Sequence, residues 1–422
     1  MRARQSSSSL RHLAQLALSR VAGLGVTALV ALAFSLMSCR GSAPAASRTD
    51  RLQHMVDSLR TPVEQATGLR FKTSPRVAIR SRQQVRAYLI RKLDEQLPPA
   101  KMHGLETTYR LFGLLPDTLQ LRALLVDLYT EQVAGYYDPD SATLFAVGDA
   151  DPGQLRLVLA HEMIHALQGQ YIPLDSILHD ISNNDRLTAA QAVLEGQATL
   201  ASLEVLAPGQ NVGDNPEFWE LYREQVRQQQ TSMPVFAKAP LIVRESLIFP
   251  YLAGAEFMHW WETSPLRDTV PYGPRMPVST EQIQFPDRYL RGDVPVPLAL
   301  PPSSDVIHED VLGESELRVL MARLSGRREV RLSGPVGWGG DRYRVFPTPS
   351  GPALVWYVVW DDTRSAERFI WGYGGKLRST TREGYRTVLE SFEVEKKPVM
   401  RYVLAPTAWE GWSDVPDVSL GK

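Results

Sequence analysis

The stretch that decides how this chain is read is Leu157-Val158-Leu159-Ala160-His161-Glu162-Met163-Ile164-His165-Ala166-Leu167. It contains no proline or glycine, and outside His161, Glu162 and His165 every residue is apolar. That composition predicts a helix buried on most of its sides, because a surface helix would carry Lys or Glu at some of the places held by Leu159, Met163, Ile164, Ala166 and Leu167. On a helix, residues four apart lie one above the other, so His161 and His165 present two imidazoles on one face. Neutral imidazole is a good zinc ligand, and the four-residue step suits two positions of a tetrahedral ion. Glu162 lies one residue on, about 100° around the helix, near such an ion without easily joining it. That is where a base must stand to take a proton from a metal-activated water.

A catalytic zinc usually takes three protein ligands and keeps a position open for water. With no cysteine nearby, the third ligand must be His, Asp or Glu. Val193-Leu194-Glu195-Gly196-Gln197-Ala198 offers the best candidate, a carboxylate in an otherwise apolar helical stretch. A lone carboxylate among Ala, Val and Leu is costly unless it is paired or metal-bound. Gly196 removes a side chain where two helices would otherwise collide. A salt bridge from Glu195 to Arg186, and Asp185 or His179 as rival ligands, are the competing readings. A pair of ordinary helix histidines is the bland one.

His161-Glu162-x-x-His165 followed by Glu195 in a Glu-Gly-x-Ala setting resembles the zincin metallopeptidases, in particular their Glu-liganded gluzincin branch. The resemblance spans roughly residues 134–200. It implies one Zn2+ per chain on His161, His165 and Glu195, with Glu162 as general base. It also implies an antiparallel edge strand ahead of the active helix that holds the substrate backbone, a place occupied here by Thr143 to Val147. Many members carry an aspartate four residues after the third ligand to orient a zinc histidine. Here that position is Thr199, which leaves Asp185 or a backbone carbonyl as substitutes. Ser279-Thr280-Glu281-Gln282 and Gly337-Trp338-Gly339-Gly340-Asp341-Arg342-Tyr343 resemble stretches of uncharacterised bacterial HExxH proteins, and no chemistry attaches to either. An oxyanion stabiliser is expected opposite the water, with Tyr251 and His259 as candidates. Tyr136 and Tyr137 read as strand-packing residues, and His54, His103 and His308 as surface residues. Trp338, Trp356, Trp360 and Trp371 read as core.

The 422 residues carry 46 basic and 47 acidic groups, 44% apolar residues and one cysteine. This is the composition of a globular protein without a basic field for nucleic acid, a disulfide framework or a cysteine-rich metal cluster. Residues 1–20 hold four arginines and no acid, and Val21 to Ser38 carries no charge. A basic segment followed by an apolar one reads as an export signal. Leu36-Met37-Ser38-Cys39 resembles the lipobox of bacterial lipoproteins, which implies cleavage before Cys39 and acylation of its thiol and new amine. Loss of residues 1–38 would leave the chain near −5. Gly41 to Ser47 reads as a flexible tether. Arg40 is not the aspartate that retains lipoproteins at the inner membrane, so the resemblance favours an outer-membrane or periplasm-facing address.

Periodicity predicts helices over 50–60, 82–96, Gln154 to Gly169 and Thr188 to about Leu206, and a helix of Leu121 to Leu128 capped by Asp117. A hairpin is expected over 134–147, with Asp138-Pro139-Asp140-Ser141 at its tip. Repeated prolines at 295, 297, 301 and 302 suggest a linker. Beyond it come strands at Tyr343 to Phe346, Ala353 to Trp360 and Val399 to Leu404, with a helix after Asp362. The expected architecture is α+β. A signal peptide (1–38) is followed by a lipidated Cys39 and tether (39–60). A zincin-like metallopeptidase domain (61–293), a Pro-rich linker (294–305) and a C-terminal α+β domain (306–422) complete it. The expected function is a zinc-dependent peptidase that hydrolyses peptide bonds of a peptide or protein substrate, held on the cell envelope by a lipid anchor. The alternatives are a non-catalytic envelope lipoprotein that uses a zincin scaffold for binding, and a zinc hydrolase of another amide such as cell-wall material.

Overall fold

The computed structural model describes residues 48–138, 141–150, 152–172, 183–379 and 382–421. Cys39, the signal segment and His179 lie outside these residues. The architecture is α+β, a helical unit with a small sheet followed by a second unit built on a larger sheet.

Helix α1 (Arg48–Thr67) buries Leu52, Val56, Leu59 and Val63, a three-four stripe, against the helices that carry the histidines and Glu195. The expected tether therefore gives way at Arg48 to folded structure, because that stripe needs a core to cover it. Strand β1 (Arg76–Arg80), helix α2 (Arg82–Gln96, capped by Ser81), α3 (Pro99–Leu111) and α4 (Leu121–Gln132) follow. Asp117 does not cap α4. The N-cap is Gln120, and Asp117 instead pairs with Arg382 at 2.5 Å.

The hairpin forms as expected from β2 (Gly135–Asp138) and β3 (Thr143–Val147). The sheet order is β1-β3-β2, with β1 parallel to β3 and β2 antiparallel to it. Thr143 to Val147 is thus the central strand, not the expected edge. Its five residues are all buried, and β1, which the hairpin signal could not reveal, occupies its other side. The edge facing the site belongs to β2. Tyr136 on it is fully buried and stacks on Tyr88 with ring centroids 4.6 Å apart.

Helices α5 (Pro152–Tyr171) and α6 (Asn184–Leu206) bracket the expected spans and are buried nearly all round. After α7 (Pro216–Thr231) and α8 (Pro234–Lys238), the long α9 (Leu241–Thr263) lies along α6. Short helices α10 (Thr280–Gln284) and α11 (Pro286–Leu290) lead to the second unit.

That unit is a five-stranded antiparallel sheet of order β5-β6-β7-β9-β8. Its strands are β5 (His308–Asp310), β6 (Trp338–Thr348), β7 (Gly351–Trp360), β8 (Tyr385–Val394) and β9 (Lys397–Pro406). Helix α12 (Gly313–Leu324) lies between β5 and β6, and α13 (Thr363–Phe369), capped by Asp362, follows β7. Alternation along β7 sends Leu354, Trp356, Val358 and Trp360 to one face and Val355, Tyr357 and Val359 to the other. The first face meets Phe112 at the C-terminal end of α3, whose ring stands edge-on to Trp356 and Tyr343 at 5.3 and 5.8 Å. The two units therefore share one core.

The proline-rich stretch does not hang between them. Val296 donates its N–H to the Gly339 carbonyl at 2.7 Å, and the short strand β4 (Leu298–Ala299) pairs with β10 (Ser419–Leu420). Leu298 and Leu300 are buried under the second face of the sheet. Prolines suit such an edge, where their missing N–H groups deprive no partner.

Candidate metal centre

Helix α5 places His161 and His165 one turn apart, and α6 brings Glu195 up to both. The Nε2 atoms of the two histidines are 3.0 Å apart, and each is 3.2 Å from Glu195 Oε2. Among the described residues this is the one group of three or more His, Cys, Asp or Glu side chains arranged to hold a metal ion. Zinc bonds of about 2.0–2.1 Å in a tetrahedron put neighbouring ligand atoms about 3.3 Å apart. The donor triangle is close to that size, and its two imidazoles and one carboxylate are zinc donors. His161 and Glu195 are buried, whereas the His165 side chain keeps 19% exposure, which leaves the cluster approachable from one side.

The electrostatics point the same way. Burial opposes the charge on Glu195, but the two imidazoles more than offset this and hold its carboxyl at about 2. Burial also disfavours a charged His165, yet Glu195 beside it raises that imidazole to about 9, while burial keeps His161 below its ordinary value.

The partner that the missing aspartate left in question is Gln168, one turn along α5. Its Nε2 donates to the Leu194 carbonyl at 3.0 Å and to Gln197 Oε1 at 2.9 Å, which uses both amide hydrogens. Its Oε1 must then face His165 Nδ1, 2.9 Å away, and accept a hydrogen bond from it. That bond fixes the tautomer whose Nε2 lone pair points at the cluster. Gln197 in turn accepts a hydrogen bond from the Tyr272 hydroxyl. The glutamine signal was present in the sequence, three residues beyond His165, but an amide three residues on is unremarkable until the acceptors around it are known. Thr199 is fully buried, and its hydroxyl has no hydrogen-bond partner among the described residues.

Asp185 is neither the histidine partner nor a rival ligand. It accepts hydrogen bonds from the Thr280 N–H at 3.2 Å and from the Thr280 hydroxyl, which itself accepts from the Ser315 N–H at 3.0 Å. Arg186, exposed at the start of α6, does not reach Glu195 either. Asp341, in the second of the two unexplained stretches, takes four donors: the N–H groups of Leu312 and Gly313 and the indoles of Trp338 and Trp356, all at 2.9–3.0 Å. Gly313, at φ 76°, brings α12 so near α6 that a Cβ there would lie 2.1 Å from Asp185 Oδ1. The Ser279–Gln282 and Gly337–Tyr343 stretches are therefore architectural. They fasten the N-terminus of the Glu195 helix to the second unit.

Glu162 is buried beside the cluster, and its Oε2 accepts the N–H of Tyr137 at 2.9 Å from the outer edge of β2. Tyr251 is brought to the site by a close helix crossing. A Cβ on Gly196 would lie 2.2 Å from the Gly254 backbone, and one on Gly254 would lie 2.0 Å from the Ala192 carbonyl. The collision expected at Gly196 is thus the contact between α6 and α9, and Tyr251 sits one turn before it. Its ring lies 6.1 Å from that of His161, nearly parallel. Burial, with Glu195 and Glu162 nearby, pushes its phenol well above the ordinary value, so it remains a donor. His259 is not brought to the site. Two turns further along α9, it packs on Trp219 and lies 3.7 Å from Asp214.

His308, expected at the surface, is half-buried against Gly104, and burial lowers its imidazole to about 4. It lines an apolar cavity of about 250 Å³ between α3, α4, α6, α9 and the second unit, with Leu105, Leu125, Ile242 and Leu252 among its walls. None of the three clustered ligands lines this cavity, so donor geometry rather than cavity size locates the site.

Residues 303–406 match a family described as a domain of unknown function (DUF8575), a stretch that covers β5 to β9 and none of the clustered residues. No curated protein and no solved structure matches the chain.

Proposed function

We propose that the protein is a zinc-dependent peptidase, displayed on the cell envelope through a lipid on Cys39. The observation that carries this reading is the convergence of His161, His165 and Glu195, at 3.0–3.2 Å, beside a buried Glu162. A binding scaffold would have no use for that carboxylate next to the ligands.

Zinc, when bound by these three side chains, would supply Lewis acidity to the scissile carbonyl and make water a nucleophile near neutral pH. Gln168 orients His165 for that task. Glu162, steadied by the Tyr137 N–H, takes the proton of the attacking water and passes it to the leaving amine, so no covalent intermediate forms. Tyr251 is the donor placed to stabilise the oxyanion, and His259 is withdrawn from that role. Strand addition by an extended substrate backbone would fall to β2, the edge strand that faces the site, since β3 is paired on both sides. Envelope display rests on residues 1–39. Among the described residues no helix is long and apolar enough to cross a membrane.

The test is zinc content and peptide-library cleavage of the purified protein beside His165→Ala, Glu195→Ala and Glu162→Gln. The reading predicts about one zinc per chain, its loss in the first two variants, and zinc without turnover in the third. A folded protein that takes up no zinc would refute it. Zinc without turnover in the wild type would favour the non-catalytic scaffold, and cleavage of cell-wall amides alone would shift the substrate class.

A further inference from the structure

Of the aromatic residues assigned to the core of the second unit, Trp338, Trp356 and Trp360 are buried, but Trp371 is 88% exposed. The reason is local. Helix α13 passes into a five-residue π-helical turn, Ile370–Gly374, before α14 (Gly375–Ser379). Phe369 points inward, its ring 4.9 Å from that of Trp360, and the turn then swings Trp371 out into solvent. Short π segments are uncommon and gather at functional places.

The sequence around Trp371 is rich in cations. Between Thr363 and Ser379 the chain carries Arg364, Arg368, Lys376 and Arg378 against the single acid Glu367, and all five are exposed. Arg368 donates to the hydroxyl of Ser365, a neutral partner, at 2.9 Å. Of the two acids just before this segment, Asp361 pairs with Arg288 at 2.8 Å, and Asp362 caps α13 with Arg368 and Arg364 also near its carboxylate.

We infer that this face docks on the anionic headgroup layer of a lipid bilayer, with Trp371 inserted at the interface and the flanking cations on lipid phosphates. Indole is suited to that layer because its ring is apolar while its N–H bonds to water and headgroups. Cations clustered around it add attraction only where the lipid is anionic. Charge complementarity thus selects a bilayer over a neutral sugar surface. The charge-free run of Val21 to Ser38 near the start of the chain independently suggests that a bilayer lies close by. A single indole with a few charges binds weakly and reversibly, so its effect is to orient an attached protein. The inference is independent of the zinc reading.

The experiment uses the full-length chain reconstituted into vesicles with bromine-labelled acyl chains, made of phosphatidylcholine alone or with one third phosphatidylglycerol. Residues 1–47 contain no tryptophan, and Trp371 is the only exposed one among the described residues, so bromine quenching reports on this face. The expected result is quenching at least twofold stronger with phosphatidylglycerol. It should be lost in Trp371→Phe, and its lipid dependence should be lost in Arg364→Glu/Lys376→Glu. Quenching in the wild type no greater than in Trp371→Phe would place Trp371 in water and overturn the inference. Equal quenching in both lipids would overturn the role of the cations.

Discussion

Replacing Gly196 by alanine tests whether the crossing of α6 and α9 holds Glu195 in register. The new Cβ would lie 2.2 Å from the carbonyl carbon and oxygen of Gly254 and 2.8 Å from the Ala255 nitrogen. These are backbone atoms in a second helix, and they cannot swing aside as a flexible side chain would. Comfortable carbon contacts need about 3.5 Å or more, so the helices must separate by roughly 1.3 Å. Glu195 is the adjacent residue, with its Oε2 3.2 Å from each histidine Nε2, and metal sites tolerate only about 0.2 Å in ligand distance. The strain should lower stability by about 1–3 kcal/mol. Displacement of one ligand should weaken zinc binding roughly 10- to 100-fold, the scale set by other misplacements around metal sites. Calorimetric melting and competition with a chromophoric chelator would measure the two effects separately. Gly148→Ala is the control, because its Cβ would meet only ordinary contacts at 3.6 Å. A Gly196→Ala protein with unchanged melting and a zinc affinity within twofold of wild type would refute the claim that this crossing positions the carboxylate.

Gln168→Leu removes the acceptor for His165 Nδ1 and should lower zinc affinity by about 10- to 100-fold, as read by chelator competition. Glu162→Gln should keep zinc and lose peptide cleavage by at least about 100-fold, the usual scale for removing a positioned acid–base group, as read in a single-turnover assay. Stability should fall as pH rises. Burial raises Asp185 and Glu316 to about 8 and Glu281 to about 9, far above their ordinary 3.8–4.5. The folded state therefore binds more protons than the unfolded one across that range, so stability is greatest below about pH 4 on this account and is lost progressively up to about pH 9. Melting temperatures at pH 6 and pH 8.5 and constant ionic strength should show the drop, with a shallower slope in Asp185→Asn; a flat profile would contradict it.

Much of the site was legible because its chemistry is local. His161, Glu162 and His165 fall within five residues of one helix, so a period of 3.6 residues is enough to align them. Glu195 was legible through its cost, since an acid flanked by Val193, Leu194 and Ala198 has few reasons to exist without a cation. Gly196 was legible by the same logic of close packing. Gln168, Tyr137 and Tyr272 were not, because each acts through an acceptor or donor that another element supplies. The Tyr137 N–H in particular carries no side-chain signal. The hairpin of β2 and β3 could be read from its turn residues, but which of its strands lies at the edge depends on β1, which arrives from residues 76–80 and pairs in parallel.

The course of the proline-rich stretch was hidden for a related reason. Prolines at 295–302 mark a stretch that cannot enter a helix or a central strand, and that much is true in the structure. What they cannot reveal is whether such a stretch runs free or lies along a sheet edge, since both tolerate missing N–H donors. The deciding information is distributed. Phe112 needs Trp356 and Tyr343 to cover its ring, and Asp185 needs Thr280, which in turn holds the start of α12 through Ser315. Asp341 ties Leu312 and Gly313 to the sheet, and Gly313 lies against Asp185. This chain of contacts ends at the first turn of the helix that carries Glu195 about three turns on. A helix fixed at its N-terminus by the second unit and at Gly196 by α9 has little freedom to move its carboxylate. The second unit, which contributes no residue to the metal cluster, thereby helps determine the cluster's geometry.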